Sequence, residues 1–213
     1  MDVYEDGNLR FVKAGPLGPF GNNAYLVQDR ASGEALFVDA PQDAEQLFEA
    51  LDGGRVVRIA VTHRHPDHWV SIAALKSATG AQAVCHEADR APYEEHVDGT
   101  IADGDAIEAG GLRVRVIHTP GHTPGSVCFL VGGRLLSGDT LFPGGPGRTT
   151  RPQDLQEEIR SITSRLFELP DETVVHPGHG DDGTIGQSKR EYALFASKEH
   201  PANLCGDVTW EGS

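Results

Sequence analysis

The chain has 213 residues, 38% of them apolar and 23% charged, which is enough to bury a core as one domain (residues 1–213) and too apolar for a disordered segment. A net charge of -14 speaks against binding nucleic acid or an anionic membrane surface, both of which need clustered Lys and Arg. It leaves an anionic small-molecule substrate open, because bound divalent cations can dominate the local field. Met1 to Leu9 is polar and acidic, no apolar run approaches the ~20 residues that span a bilayer, and Cys85, Cys128 and Cys205 are too few and too far apart for a disulfide framework. The expectation is a reduced, cytoplasmic protein.

Short apolar runs at 9–12, 24–27 and 35–38, separated by Gly- and Asn-containing turns, predict three early strands. Residues 43–52 carry Ala44, Leu47, Phe48 and Leu51 at helical spacing. A strand over 56–61, a helix over 69–78 and a short strand over 81–85 follow. Strands are then predicted at 112–117, 126–131 and 134–136, the last two joined across Gly132-Gly133, a hairpin signal. Leu155, Ile159, Ile162 and Leu166 stripe a helix over 153–167. A strand at 173–175 and a helix over 185–197 complete the pattern. Strands first and α/β alternation afterwards predict a layered α/β sandwich.

The histidines are grouped. His63, His65 and His68 stand in THRHPDH with Asp67, His122 in HTPGH, Asp139 in SGDT and His179 in HPGH. Each group follows an apolar strand, so the loops are expected along one sheet edge, where α/β sheets place their sites. Imidazole and carboxylate suit zinc, iron or manganese without thiolate. Residues two apart in extended chain face the same way, so His63 and His65 can address one metal. Asp67 and His68, beyond Pro66, can address a second. Seven ligands suit two divalent ions, with Asp139 between them. His86, His96, His118 and His200 read as solvated or core residues, and His176 as a support behind a ligand.

The pattern His63-x-His65-x-Asp67-His68, then His122, Asp139 and His179, resembles the metallo-β-lactamase superfamily. The resemblance implies an αββα four-layer sandwich (α/β, or α+β) with metals in a cleft at its edge. GDTLFPGGPGR (138–148) and LPDETVVHPGHGDDGTIG (169–186) are similar to single-domain glyoxalase II proteins, the hydroxyacylthiol hydrolases. Carried over, one ion takes His63, His65 and His122, the other Asp67, His68 and His179, and Asp139 bridges; zinc is the first choice, with iron or manganese also accommodated. Asp67 would relay a proton. Trp69-Val70-Ser71 departs from the small residue and glycine pair common in that family, and packing is the role read for Trp69. Two-domain glyoxalase II proteins add a C-terminal helical region that helps bind glutathione; with 34 residues after His179, the resemblance does not extend to an expectation of glutathione as the thiol carrier.

Hydrolysis by water activated between two ions asks for a leaving group that departs without a strong acid. A thiolate, whose thiol pKa is near ~8.5, meets that demand. The expected enzyme is therefore a metallo-hydrolase acting on a small-molecule thioester, with Arg148 as a substrate contact. The alternatives are a mononuclear iron persulfide or thiol dioxygenase using His63, His122 and Asp139, and a cytoplasmic lactonase. The acidic charge weighs against a nuclease, and the ligand count against a structural metal module. Oligomeric state stays open.

Overall fold

Strand alternation sets the layering. In a computed structural model that describes residues 1–210, seven strands form one sheet in sequence order: β1 (Asp2–Asp6), β2 (Leu9–Leu17), β3 (Asn22–Asp29), β4 (Glu34–Val38), β5 (Arg55–Ala60), β6 (Gln82–His86) and β7 (Gly99–Ile101). Pairing is antiparallel from β1 to β4 and parallel from β4 to β7. The second sheet contains β8 (Ala106–Ala109), β9 (Leu112–His118), β10 (Val127–Val131), β11 (Arg134–Gly138), β14 (Val174–Pro177) and β15 (Gly183–Thr184), in the order β15-β14-β11-β10-β9-β8. A small pair, β12 (Leu141–Phe142) and β13 (Gly145–Pro146), projects beside it. The α-helices are α1 (Ile72–Thr79), α2 (Pro152–Ser161) and α3 (Ile185–Ala196).

Successive side chains of a strand point to opposite faces. Phe11, Val27 and Leu36 turn toward the second sheet, while Val12, Leu26 and Phe37 turn outward onto Leu47 and Leu75. On the second sheet Val116, Phe129 and Leu136 face inward, and Ile117, Cys128 and Leu135 pack under Leu155, Ile185 and Phe195. Two sheets buried on both faces therefore give the four αββα layers read from the sequence.

Several elements differ in detail. Residues 44–50 form a 3-10 segment rather than an α-helix, entered through Asp43 in the left-handed region (φ 67). The helix expected from 69 begins at Ile72, because Pro66–His68 forms its own 3-10 turn and Trp69 (φ -140) interrupts the helical path. The helix expected over 153–167 is α2 followed by a widened π-type turn at Ile162–Leu166. There the Thr163 hydroxyl donates to the Ile159 carbonyl and the Ser164 hydroxyl to that of Arg160, competing with the helical amides. β7, β12, β13 and β15, of two or three residues, are too short for a period-2 signal, and β1, exposed along its whole length, has no buried face to impose one.

The topology places the site. β9, β11 and β14 run parallel to one another, since β10 is antiparallel to both β9 and β11 and β14 is parallel to β11. Their C-terminal ends share one edge. β5, however, belongs to the first sheet. The four loops thus converge from both sheets, not from one as the sequence reading assumed. Cross-links hold the sheets together there: the Val127 amide donates to the Thr62 carbonyl (2.9 Å) and the Asn23 amide to that of Gly178 (2.7 Å).

Candidate metal centre

The loop after β5 carries His63, His65, Asp67 and His68. His122 follows β9, Asp139 follows β11 and His179 follows β14. The structure brings all seven together. His63 Nε2 lies 3.0 Å from His65 Nδ1, His122 Nε2 lies 2.9 Å from His65 Nδ1, and His122 Nε2 and His63 Nε2 are 3.3 Å apart. The alternation argument for His63 and His65 thus predicted their convergence. A second group forms from His68 Nε2, His179 Nε2 and Asp67 Oδ2, at 3.3–3.5 Å from one another. Asp139 stands between them, its Oδ1 3.5 Å from His68 Nε2 and its Oδ2 3.8 Å from His122 Nε2 and 3.6 Å from His179 Nε2.

This donor set fits divalent metal ions. A tetrahedral ion with metal–nitrogen bonds of about 2.0–2.1 Å sets its nitrogens roughly 3.3 Å apart, close to the separations of the first group. His63–His65–His122 and Asp67–His68–His179 each gather ligand atoms within 4.8 Å, as does His63–His68–Asp139. The Oδ1 of Asp139 is buried without a hydrogen bond, a costly state for a carboxylate oxygen unless a cation meets it. The opposite ring nitrogens are also committed. His122 Nδ1 donates to the Arg148 carbonyl (2.9 Å), His179 Nδ1 to that of Phe20 (3.1 Å) and His68 Nδ1 to Asp39 Oδ2 (2.8 Å). His63 Nδ1 meets the Thr62 hydroxyl at 3.1 Å. Such bonds fix the ring orientations and turn the other ring nitrogen toward the centre.

Electrostatics divide the histidines. Burial pulls His63 far below the usual imidazole range and His122 down to about 4, so both are neutral near pH 7, as ligation requires. His65 is lowered for the same reason. For His68, burial lowers the pKa but the Asp139 and Asp39 carboxylates outweigh it and raise it. Burial also opposes ionisation of Asp67, yet the hydrogen bond with His179, the nearby His68 and the Asn22 amide hold its carboxyl far below the ordinary value.

Three residues outside the sequence motifs build the frame. Asp39, in the left-handed region (φ 62), accepts the Thr62 amide and hydroxyl as well as His68. Its signal was a carboxylate directly after an apolar strand, the same cue that marked Asp139. Asp89, fully buried, accepts the Arg64 amide, the Gly125 amide and the Thr123 hydroxyl, tying the THRHPDH loop to the HTPGH loop. Asn22 donates to Asp67 Oδ2 (2.9 Å). Neither of these two carried a sequence signal. Trp69 stacks on Tyr93 and donates its indole N–H to the Arg64 carbonyl (2.9 Å), so it packs as read and also braces the loop. His176 has a different place from the one expected: it bonds Arg134 (2.9 Å), lies 2.9 Å from the Asp182 carboxylate and packs on Phe11, bracing β14 instead of backing a candidate ligand.

A cleft of about 700 Å³ opens over His122, Asp139 and His179. The loop 142–148 forms one wall and Asp207–Thr209 the other. Arg148 lies on this rim with its guanidinium exposed, 3.5 Å from Asp207. The segment after α3 therefore walls the cleft; residues 211–213 of that segment lie outside the described residues.

Comparison with known proteins agrees with this geometry. A hydroxyacylglutathione hydrolase of Anaeromyxobacter dehalogenans is 38% identical over 161 residues, 75% of this chain and 62% of that protein, so the chain spans less than two thirds of its length. The structure of ETHE1 from Myxococcus xanthus superposes with a TM-score of 0.75 at 30% identity, covering 88% of this chain and 86% of the other. TTHA1623, crystallised in a di-iron-bound form, gives a TM-score of 0.70 at 31% identity over 84% and 97% of the two chains. The family model of the metallo-beta-lactamase superfamily matches residues 17–179, from the end of β2 to the last of the clustered histidines. By that match, by its αββα layers and by the candidate ligands gathered at their edge, the chain belongs to the metallo-beta-lactamase superfamily.

Proposed function

We propose that the protein hydrolyses acyl thioesters at a binuclear metal centre. One ion is assigned His63, His65 and His122, the other Asp67, His68 and His179, with Asp139 shared. The observation that carries this reading is the presence of two complete three-donor groups with Asp139 within 3.5–3.8 Å of both. When bound, a pair of divalent ions supplies a nucleophilic water near neutral pH and polarises the substrate carbonyl. Zinc is the first choice, and the kinship with a di-iron form makes iron the second.

The chain's own groups do the rest. His122, His179 and His68 are locked by their outward hydrogen bonds, so the centre is preorganised. Asp67 faces the cluster with a carboxylate that stays ionised and can accept a hydrogen bond from a water there, orienting it for proton loss. Water's oxygen bonds to the acyl carbon, the C–S bond breaks and its electron pair leaves on sulfur; one proton accompanies the thiol and one goes to solvent. Apart from the candidate ligands, the cleft offers Arg148, Asp207 and Thr209 as polar side chains, all on its rim. None is a buried acid placed to protonate an alkoxide or amine, whereas a thiolate can leave without one. The partial kinship with a hydrolase of an acyl-glutathione supports the same chemistry.

The test is metal content per chain measured with thioester turnover on the same sample. About two ions per chain, with turnover lost on chelation, is the expected result. One iron per chain, no thioester turnover and oxygen uptake with a persulfide would replace this reading with the dioxygenase. Turnover of lactones alone would replace it with the lactonase.

A further inference from the structure

The 700 Å³ cleft covers only one side of the metal centre. Beyond Asp67 lies a second cavity of about 130 Å³. The turn between β2 and β3 contributes Pro19 and Phe20 to it, and the segment around the 3-10 turn contributes Pro66 and Val70. Phe20 is 70% exposed and Val70 57%. A single exposed apolar side chain is ordinary. Here two, from separate segments, line one cavity together with the two prolines, and Asn22, Gln42 and Asp67 complete its lining. The Phe20 position is not loose, because its carbonyl accepts from His179 Nδ1.

The two cavities flank the centre on either side of the Asp67–His179 contact. Asp67 lines the small one, His179 lines the large one, and Asp67 Oδ2 and His179 Nε2 are 3.3 Å apart. A carbonyl placed over the centre has two substituents, and each cavity can take one. The larger cleft, with Arg148, Asp207 and Thr209 at its rim, suits a polar and extended thiol carrier. The smaller suits a compact hydrocarbon: a cavity of about 150 Å³ lined by apolar side chains takes benzene.

We propose that the cavity formed by Phe20 and Val70 is the acyl pocket and selects thioesters with a short branched or aromatic hydrocarbon acyl group. The assignment rests on the thioester reading. It makes Phe20 and Val70 specificity-determining residues, whose apolar surface leaves water when the acyl chain enters.

The experiment uses the full zinc-loaded chain and a series of thioesters of one thiol carrying acetyl, isovaleryl and phenylacetyl groups. Each buried methylene is worth about fourfold, so kcat/KM is expected to be at least about tenfold higher for phenylacetyl than for acetyl. Phe20→Ser and Val70→Ser should bring that ratio toward one. Leu194→Ser removes an exposed apolar side chain that lines neither cavity and should keep the ratio. In parallel, phenylacetate and acetate are titrated into the isotope-labelled protein. Phenylacetate is expected to shift the Phe20 and Val70 amides by NMR, and acetate to leave them in place. A flat acyl series in an enzyme that does hydrolyse thioesters overturns the pocket and leaves the thioesterase standing. If no thioester is hydrolysed the thioesterase reading fails, and the titration alone decides the pocket: shifts at Phe20 and Val70 sustain a site for an apolar acid, and their absence overturns it.

Discussion

Asp39 shows how much one side chain can hold. A non-glycine residue at positive φ costs about 1–3 kcal/mol, and here it turns a carboxylate back onto Thr62 and His68. Asp39→Asn keeps a residue that tolerates this backbone but removes the charge that orients and polarises His68. We expect metal affinity to fall about 10–100-fold, measured by competition with a chromophoric chelator. Glu158, on α2, makes a different kind of prediction. It is fully buried, its Oε1 accepts the Gly147 amide (3.1 Å) and its Oε2 has no partner. Burial raises its pKa well above the ordinary 4.5, with the Gly147 bond opposing. The group is neutral when folded and ionised when unfolded above pH 4.5. Its contribution to stability is thus fully present below that value and is lost as pH rises through the folded pKa. Glu158→Gln should match the wild type near pH 4 and become progressively more stable than it as pH rises. Thermal melts of both proteins between pH 4 and 9 check this; parallel curves would contradict it.

Among the elements, the segment after α3 has the clearest task. Trp210 is wholly buried against Tyr192 (5.5 Å) and Phe167 (6.2 Å), and its amide donates to the Gly144 carbonyl (2.8 Å). It pins Asp207–Thr209 as a wall of the large cleft. Trp210→Ala should cost about 3–5 kcal/mol in a denaturant melt, through lost burial and a cavity. Because the same change frees the wall, KM for the thioester should rise more than kcat falls. The loops at the strand ends depend on one another in the same way. Gly178 has no side chain because a Cβ there would run into Asp139 Oδ1 and His68 Cε1, so the loop after β14 can close on the centre only with glycine.

At the scale of the whole molecule, the metals are expected to act as a clasp. The candidate ligands come from loops of both sheets, so an ion bound there joins the two halves of the sandwich. A ligand at 100 times its Kd stabilises by about 2.7 kcal/mol. For a chain of this size each kcal/mol is worth roughly 2–4 °C. Thermal scans with and without chelator should therefore differ by about 5–10 °C at that excess of zinc. No difference would mean that the sites do not bind zinc tightly in the folded state. Among the described residues no helix is long and apolar enough to cross a membrane.

The sequence by itself singled out the candidate ligands and their grouping. Each motif is local: imidazoles two apart in extended chain, a carboxylate after an apolar strand, a Gly-Gly turn between strands. Local periodicity also marked the longer strands and the apolar face of α2, because burial on one face dictates spacing. It did not fix helix ends, where Trp69 and the hydroxyls of Thr163 and Ser164 interrupt the pattern. Nor could it show that β5 lies in a different sheet from β9, β11 and β14, that Asp89 ties two loops 59 residues apart (Arg64 to Thr123), or that Phe20 and Val70 share a cavity beside Asp67. Those relations are contacts between residues distant in the chain. They leave no local pattern, and only the packing of two sheets against each other decides them.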